Sequence, residues 1–339
     1  MSDYELAPLE SFGKSAYLEL MQRVWGERAM SEAEYEWWFE RSPIAPPVVS
    51  LAHKDGYLVG TAAHSYCRYL LGGTEQLVSY SLHAAVAAEA RGRSLFARLE
   101  RLNEEHSSAL GASACLSFPN KASTRILIER LGFKRLPPPR LWVRLLSPGG
   151  PLRLIARRPP RVPELTPPSE EAHVYGGVTV VPLTRFGAVT DAIYRAARSS
   201  LPDHVVREAD YLNWRYIDSP RGYRAFASIR DGAVNGYAVV RAKQHGGLAL
   251  CVLADLFVAG RGFAETRALT HRCLKEVSHA DAAVVLLPGD PAHKRALLSL
   301  GFAPSPSSLS FVGLPLASET VLPEERSRWQ LSLGDTDFF

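Results

Sequence analysis

The chain has 339 residues, a length that fits two domains, each large enough to bury a core of its own. Hydrophobic residues make up 46% and charged residues 22%, which is typical of soluble globular proteins and excludes disordered, fibrous and membrane classes. Lysine and arginine total 39 against 35 aspartate and glutamate, a net charge of +4 without a dense basic block. This balance favours an anionic small ligand over nucleic acid as partner.

The cysteines and the N-terminal residues indicate the cellular compartment of the protein. Cys67, Cys115, Cys251 and Cys273 lie far apart and match neither a zinc spacing nor the framework of small secreted domains, so we expect reduced, mostly buried thiols and no metal site. The N-terminus has no positive region followed by an apolar run, and no apolar stretch approaches the roughly 18 residues of a membrane span. The sequence predicts a cytoplasmic protein without a membrane partner and leaves its oligomeric state open.

An internal repeat divides the chain. Glu34-Tyr35, Trp38, Asp55-Gly56 and Gly60 recur as Asp210-Tyr211, Trp214, Asp231-Gly232 and Gly236. These pairs are offset by 176 residues, whereas the later pair of Gly132-Phe133 and Gly301-Phe302 is offset by 169, so the second copy is shorter between Gly236 and Pro288. The alternative is that Asp-Gly and Gly-Phe merely mark common turns. The repeat predicts a domain at 1–146, a Pro/Arg-rich linker at 147–176, a second domain at 177–316 and an extension at 317–339.

Periodicity within the first copy predicts the element order ααβββαβαβ. Ser31 to Glu34 form a capping box for the second helix, Asp55-Gly56 forms a turn, and Ser94 can cap the third helix. The expected helices are 12–25, 31–40, 94–110 and 121–130, and the expected strands are 48–52, 57–63, 77–86, 114–118 and 141–145. This order predicts an α/β (α+β) fold in which each domain is a mixed, mostly antiparallel twisted sheet flanked by helices. A strand, a tight loop and a helix in succession aim backbone N–H groups at an anion.

Residues 86–96, VAAEARGRSLF, carry a resemblance to the GNAT acyl-CoA N-acyltransferases, which hold the pyrophosphate of coenzyme A at such a loop. The family pattern is Gln or Arg, two residues, Gly, one residue, then Gly or Ala. Arg91 fills the first position, but Ser94 and Phe96 stand where the family has small residues. The resemblance implies that Arg91, Gly92, Arg93, Ser94, Leu95 and Phe96 bind the cofactor; the alternative is that Arg91 and Arg93 are ordinary exposed arginines.

A second stretch, Ser117 to Lys121 followed by Leu131-Gly132-Phe133, resembles the same family, so the likeness covers most of residues 1–145. In the family the fourth and fifth strands diverge, and the pantetheine arm inserts between them. This implies main-chain contacts at Ala84 and Val86. Asn120 would stand near the thioester by the same analogy, but an Asn before a helix is equally an N-cap.

The general acid is where the resemblance fails. Many family members place a Tyr four residues before the Gly of the Gly-Phe pair, but Ile128 and Leu297 stand there in the two copies. Tyr80 and His83 are the substitutes that we consider for the catalytic role. The alternatives are a half-buried core Tyr80 and a packed or surface His83.

The second copy carries Gly260-Arg261-Gly262-Phe263-Ala264 at the loop position, but Ala259 replaces the cationic residue. We therefore expect a shortened loop and a degenerate cofactor site. Residues 211–215 and the C-terminal stretch 329–337 resemble recurrent sequences of tandem GNAT members. Arg215, Asp335 and Asp337 are candidate acceptor contacts on that basis.

These features together predict an N-acetyltransferase of tandem GNAT type. It would use acetyl-CoA or another short acyl-CoA as co-substrate, require no metal, and acylate a primary amine of a small metabolite such as an amino sugar or amino acid derivative. One alternative is a tandem GNAT-like transferase that uses aminoacyl-tRNA, and another is a binding protein without catalysis. The sequence leaves open the acceptor and the acyl chain length.

Overall fold

The computed structural model describes residues 4–92, 94–150, 162–260, 262–286 and 291–336. The chain divides into two compact units. Unit one consists of Met1–Pro137 and Ser310–Glu324, and unit two consists of Pro138–Leu309 and Glu325–Phe339.

Unit one contains one large sheet and four α-helices among its described residues. Its elements are β1 (Glu5–Pro8), α1 (Gly13–Trp25), α2 (Glu32–Tyr35), β2 (Val48–Lys54), β3 (Tyr57–Leu71), β4 (Thr74–Val86), α3 (Leu95–Ala109), β5 (Ala114–Ser117), α4 (Lys121–Leu131), β6 (Lys134–Arg135) and β18 (Val312–Pro315).

The strands of unit one run in the order β1-β2-β3-β4-β5-β18-β6. Only the pairing of β4 with β5 is parallel along this path, and the rest is antiparallel. Asp55 and Gly56 join β2 to β3 with φ values of 52° and 80°, the left-handed conformations of a type I′ hairpin turn. The predicted mixed, mostly antiparallel sheet is therefore confirmed, with β3 and β4 longer than the sequence pattern indicated.

The core of unit one lies between the sheet and the helices α1 and α3. Tyr17, Leu20 and Met21 of α1 and Leu95 and Leu99 of α3 are buried in one apolar cluster with the strands. Their spacing is the three- to four-residue period of a helix that packs one face. This packing fixes the start of α3 beside the end of β4.

Unit two repeats the same plan. Its elements are β7 (Arg140–Leu145), β8 (Glu164–Leu165), β9 (His173–Tyr175), β10 (Val178–Leu183), α5 (Ala188–Ala197), β11 (His204–Val205), α6 (Ala209–Leu212), β12 (Tyr223–Arg230), β13 (Ala233–His245), β14 (Leu248–Val258), α7 (Phe263–Lys275), β15 (Val277–Ser278), β16 (Ala282–Leu286), α8 (Pro291–Ser299) and β17 (Ala303–Ser308).

The sheet of unit two runs in the order β17-β7-β16-β14-β13-β12-β10-β9, and β14 pairs with β16 in parallel. Asp231 and Gly232 form the same left-handed turn as their counterparts in unit one, with φ values of 51° and 78°. Each unit also has a four-residue α-helix, α2 or α6, followed directly by a five-residue π-helix at Glu36–Glu40 or Asn213–Ile217. A shared irregularity of this kind indicates that the two units are copies of one domain.

The last strand of each sequence copy lies in the sheet of the other unit. β7, which was predicted at 141–145 to complete the first copy, pairs with β16 and β17. β18 pairs with β5 and β6. The compact units therefore differ from the sequence boundaries 1–146 and 177–316, because a strand is assigned to a sheet by hydrogen bonds that sequence order does not fix.

Local signals agree with the structure at the start of α2 but not at the start of α3. Ser31 and Glu34 form the predicted capping box, with Glu34 N 3.2 Å from Ser31 Oγ. Ser94 departs from expectation, because it precedes α3 in the left-handed region at φ 59° and its side chain makes no capping bond. The hydroxyl instead accepts a hydrogen bond from Arg130 Nη1 at 2.5 Å.

A buried polar cluster connects α3 to the sheet of unit one. His64 Nδ1 lies 2.9 Å from Ser107 Oγ, and His64 Nε2 lies 3.1 Å from Glu100 Oε2 and 3.9 Å from Cys115 Sγ. All four side chains are fully buried. Burial alone lowers the pKa of His64, but Cys115 and Glu100 more than offset it and raise that pKa to about 10. The net effect favours the protonated imidazole, which would pair with the Glu100 carboxylate.

Other expectations concern membranes, metals and thiols. Within the described ranges, no helix is long and apolar enough to cross a bilayer. The same residues contain no cluster of three or more metal-ligating side chains. All four cysteines are buried thiols, as expected.

Candidate functional site

A cavity of about 620 Å³ opens where β4 and β5 diverge in unit one. Its volume lies within the range that is usual for small-ligand sites. Its walls are the end of α1, the end of β4, the β4–α3 loop, the first turn of α3 and one face of α4. The lining residues are Val24, Trp25, Arg28, Ala84, Ala85, Val86, Ala90, Arg91, Gly92, Ser94, Leu95, Phe96, Ala97, Asn120, Ala122, Ser123, Ile126 and Arg130.

The divergence of the two strands, here called the fork, begins after Tyr80 pairs with Leu116. Ser117 Oγ donates a hydrogen bond to Ser81 O at 3.0 Å at the base of the fork. β4 then continues along β3 to Val86, so its other edge borders the cavity at residues 84–86. A strand edge of this kind can pair with an extended ligand as it would with another strand.

A β-bulge shapes this edge. Ala63 pairs with Leu82 and Thr61 with Ala85, so two residues of β4 oppose one residue of β3. His83 is at the bulge with φ 51°, a conformation that costs a non-glycine residue about 1–2 kcal/mol. The bulge interrupts the alternation of β4 side chains between the two faces of the sheet, next to the residues that line the cavity.

The β4–α3 loop directs amide groups at the cavity. Gly92 and Ser94 both have left-handed backbone conformations, with φ 79° and 59°. The first backbone hydrogen bond of the helix runs from Arg98 N to Ser94 O, so the amides of Leu95, Phe96 and Ala97 lack acceptors within the helix. All three of those residues line the cavity. The loop and the helix dipole together form a site suited to an anion.

Three arginines line the same cavity. Arg91 Nε donates to Val86 O at 3.1 Å, which holds its guanidinium at the end of β4. Arg130 reaches Ser94 from α4, and Arg28 lies over the Trp25 ring with its Cζ 5.8 Å from the ring centroid. No carboxylate side chain is among the described lining residues. The wall is therefore positively charged.

Asn120 lines the cavity at the N-terminus of α4. Its Oδ1 accepts hydrogen bonds from Ala122 N and Ser123 N, both at 3.0 Å. Of the two roles that the sequence left open, this geometry supplies the N-cap. The start of α4 brings a second positive helix end to the cavity.

The cavity brings together eight of the nine residues that were predicted to bind the cofactor. They are Ala84, Val86, Arg91, Gly92, Ser94, Leu95, Phe96 and Asn120. The ninth, Arg93, lies outside the described residues.

The two candidate catalytic side chains are not among the lining residues. Tyr80 is buried at the last parallel pair, and its ring stacks on Phe118 with centroids 6.2 Å apart. The His83 ring packs edge-on against Trp38 at 5.0 Å and against Phe39 at 5.9 Å. These contacts correspond to the packing alternatives for both residues.

The candidate acceptor contacts belong to a buried network in unit two. Arg215 donates to Gly334 O at 2.8 Å and to Thr336 O at 2.9 Å. Asp335 is paired with Arg207 at 2.9 Å. Arg215 and Asp335 therefore hold the C-terminal segment rather than facing an open cavity, and Asp337 lies outside the described residues.

Sequence reasoning missed Arg28 and Arg130. Arg130 lies 36 residues from Ser94, so no local motif connects the two. A signal for it does exist, because Ala122, Ile126 and Arg130 recur every four residues and form one face of α4. Arg28 follows α1 in a short 3₁₀-helix and gives no such signal.

The sequence and the structure were each compared with known proteins. No protein-family profile matches the sequence, and no curated protein sequence matches it. A GCN5-related N-acetyltransferase from Anabaena variabilis matches by structure, with a TM-score of 0.63, 9% identity and coverage of 93% of this chain and 73% of that one.

Two further solved structures are similar. Eis1 from Mycobacterium abscessus matches with a TM-score of 0.52 and 15% identity, covering 93% of this chain and 74% of its own. A tandem GNAT protein from the clavulanic acid biosynthesis pathway matches with a TM-score of 0.57 and 16% identity, covering 94% of this chain and 100% of its own. The chain has a tandem GNAT fold.

Within this tandem GNAT fold the cavity belongs to the first GNAT unit. The predicted fold class is confirmed for both copies. At these identities the likeness concerns the fold, and the residues of the cavity determine what it binds.

Proposed function

We propose that the chain is an acyl-CoA N-acyltransferase that works at the fork of unit one. It would move an acetyl or another short acyl group to a primary amine of a small metabolite, such as an amino sugar or amino acid derivative. The observation that carries the proposal is the meeting, in one cavity, of the β4 edge, the first-turn amides of α3 and three arginines.

The charged wall fits the anionic end of coenzyme A. The amides of residues 95–97 and the guanidinium groups of Arg91 and Arg130 are donors suited to phosphate oxygens. Arg28 adds a third guanidinium. Without a carboxylate among the described lining residues, nothing there repels a polyanion.

The fork fits the extended part of the same molecule. The β4 edge at residues 84–86 offers main-chain groups for pairing, while Val24, Leu95 and Ile126 supply apolar surface. A pantetheine arm has amide groups in an otherwise aliphatic chain, so it matches both features. Bound there, acyl-CoA would supply the activated acyl group.

Acyl transfer needs few protein groups. A neutral amine nitrogen attacks the thioester carbonyl, the C–S bond breaks, and the proton lost by nitrogen ends on the thiol or on solvent. The protein has to hold the two reactants in line and provide a main-chain donor for the carbonyl oxygen. The β4 edge offers such donors beside the fork.

A binding protein without catalysis is the second candidate, and one observation favours it. Ile128 is half-buried and packs against an apolar cluster of unit one, and Leu297 is fully buried in unit two. Neither can protonate a leaving thiolate, and neither Tyr80 nor His83 lines the cavity. Binding and turnover therefore have to be measured separately.

Ligand stabilisation tests the binding step. Acetyl-CoA at 100 times its Kd would stabilise the folded protein by about 2.7 kcal/mol, which raises the melting temperature of a chain of this length by about 4 °C. Release of free thiol in the presence of a panel of amines then measures turnover. No shift in melting temperature would refute the proposal, whereas a shift with no thiol released for any amine would support the binding protein.

A further inference from the structure

The fork of unit two is filled by the C-terminal segment of the chain itself. β14 and β16 pair up to Val252 and Val284 and then diverge, as β4 and β5 do in unit one. Residues 330–333 lie against residues 253–256 and 285–286, around a gap of about 10 Å³. That gap has room for about one water molecule. The corresponding cavity in unit one measures about 620 Å³.

Specific contacts hold this segment in place. Arg207 pairs with Asp255 of β14 at 3.0 Å and with Asp335 of the segment at 2.9 Å. Arg215 donates to the carbonyl oxygens of Gly334 and Thr336. All of these side chains are buried, and a buried charged hydrogen bond is costly to break when one partner is lost.

Gly334 marks how closely the segment fits. A Cβ atom at this position would overlap the Tyr216 hydroxyl and lie 2.8 and 2.9 Å from two of its ring carbons. Tyr216 in turn donates to Asp255 Oδ2 at 3.1 Å. The segment therefore packs this closely against Tyr216, which is bonded to Asp255 of β14, only because residue 334 has no side chain.

The loop of unit two is also occupied by the chain. Gly92 and Gly260 have φ values of 79° and 76° and are offset by 168 residues, an offset that places Glu265 where unit one has Ala97. Ala97 lines the cavity of unit one. Glu265 is buried in the first turn of α7, where it accepts a hydrogen bond from Arg230 at 3.1 Å.

This carboxylate stands at the helix end that would otherwise favour a phosphate. Its Oε2 would be 2.8 Å from a Cβ at Gly262, so it lies over the loop. The connection from strand to helix is also shorter, with four residues between β14 and α7 against eight between β4 and α3. Ala259 takes the place of Arg91 in this shorter loop. The carboxylate, held by its pairing with Arg230, therefore occupies the helix end at which a phosphate would otherwise bind.

We propose that residues 330–336 are a built-in ligand of unit two, which fills the fork that acyl-CoA would fill in unit one. At the loop of unit two, the Glu265 carboxylate takes the place that a phosphate of acyl-CoA would take in unit one. If the proposed function holds, the chain binds a single acyl-CoA although it has two GNAT units; this consequence rests on that function. The docking of the segment itself does not depend on that function.

Hydrogen exchange with Gly334→Ala tests the docking. The new methyl group meets Tyr216, so the segment should leave the fork and the amides of residues 253–258 and 284–286 should exchange at least about tenfold faster. Amides of β2 and β3 in unit one should be unchanged. Gly187→Ala is the matched control, because a Cβ at Gly187 of the same unit has no neighbour within 4 Å and its φ is extended. Unchanged exchange at 253–258 while residues 331–336 become exposed would overturn the proposal.

A milder variant covers the case in which Gly334→Ala fails to fold. Arg215→Met keeps most of the bulk of the side chain but removes both donors to the segment. It should accelerate exchange at the same amides of β14 and β16 by a smaller factor. Faster exchange across the whole of unit two, with no excess at the fork, would contradict a local docking role.

Titration of the wild-type protein with acetyl-CoA tests the consequence. We expect one molecule bound per chain. Two molecules per chain would overturn the internal occupation of unit two, even if the segment docks. No binding at all would refute the proposed function instead and would leave the exchange result on residues 330–336 valid.

Discussion

Single side chains determine the charge of the cavity in unit one. Arg28, Arg91 and Arg130 come from three separate elements, and each is held by a contact within the unit: a ring, a main-chain carbonyl and a hydroxyl. A guanidinium that is already oriented loses less side-chain entropy when it binds phosphate. These residues are therefore where substitution should change affinity most.

Arg130 and Arg125 provide a matched pair on one helix. Arg130 lines the cavity, whereas Arg125 is exposed and pairs with Glu129 at 3.0 Å. Arg130→Ala should weaken acetyl-CoA binding by about tenfold, because a charge-assisted hydrogen bond contributes about 1.5 kcal/mol. Arg125→Ala should leave the Kd within about twofold in the same calorimetric titration. Equal effects of the two variants would show that Arg130 acts only through net charge.

The buried His64 predicts a dependence of stability on alkaline pH. Its pKa in the folded protein, about 10, lies above the value of about 6.5 in the unfolded chain. The stabilisation of the folded protein by protonated His64 is therefore fully present below pH 6.5 and is lost as the pH rises through 10. Over that window the free energy of unfolding should fall as the pH rises, because the unfolded chain has already lost the proton that the folded protein still holds.

Urea unfolding at several pH values between 7 and 10 checks this dependence. His64→Gln should be less stable at pH 7, because it leaves Glu100 buried without its cation, and it should lack the extra loss toward pH 10. His106→Gln, on the exposed part of α3, is the control and should follow the wild type. Parallel curves for His64→Gln and the wild type would contradict a charged, buried His64.

At the scale of elements, the sequence predicts correctly those features that depend on residues close together in the chain. The capping box at Ser31 and the hairpin turn at Asp55-Gly56 depend on residues within a few positions, and both were predicted correctly. The bulge at His83 and the left-handed Ser94 were not predicted, because neighbouring elements impose these conformations against local preference.

Asn120 allows the two roles of the start of α4 to be separated. Asn120→Ala should reduce the free energy of unfolding by about 1 kcal/mol, because Ala122 N and Ser123 N lose their acceptor. Asn120→Ser keeps a capping oxygen and should restore stability. It should also leave the Kd for acetyl-CoA within about twofold. A large loss of affinity in Asn120→Ser, with stability intact, would show instead that the amide contacts the ligand.

At the scale of the whole molecule, the placement of β7 and β18 determines which fragments of the chain can fold on their own. Val312 of β18 is fully buried in the core cluster that contains Cys115 and Leu127. A fragment that ends at residue 146 lacks this strand and carries β7 in its place. It would expose the edge of β5, which is an open site for aggregation.

A fused fragment tests this organisation. Leu136 N donates to Phe311 O at 3.0 Å, so residues 137 and 310 lie close enough to be joined by a Gly/Ser linker of about four to six residues. Residues 1–137 fused in this way to 310–324 should give a dispersed NMR spectrum and a cooperative melt. Residues 1–146 should aggregate or stay unfolded. A well-folded 1–146 fragment would contradict the requirement for β18.

The sequence by itself determined the duplication, the order of elements from α1 to α4 and the position of the β4–α3 loop, whereas the short strands β1 and β6 were not predicted. These depend on periodicity, on turn residues such as Asp55-Gly56 and on residues that lie close together in the chain. Such signals agree with the structure because local backbone preferences and the global fold point to the same elements.

Only the tertiary structure decided the exchange of β7 and β18, the contribution of Arg28 and Arg130 to the cavity, and the filling of the second fork by residues 330–336. Each of these joins residues that are far apart in the chain. Their energy comes from hydrogen bonds and burial between distant segments, and loop closure costs so little more for long loops that the sequence alone does not fix which segments meet.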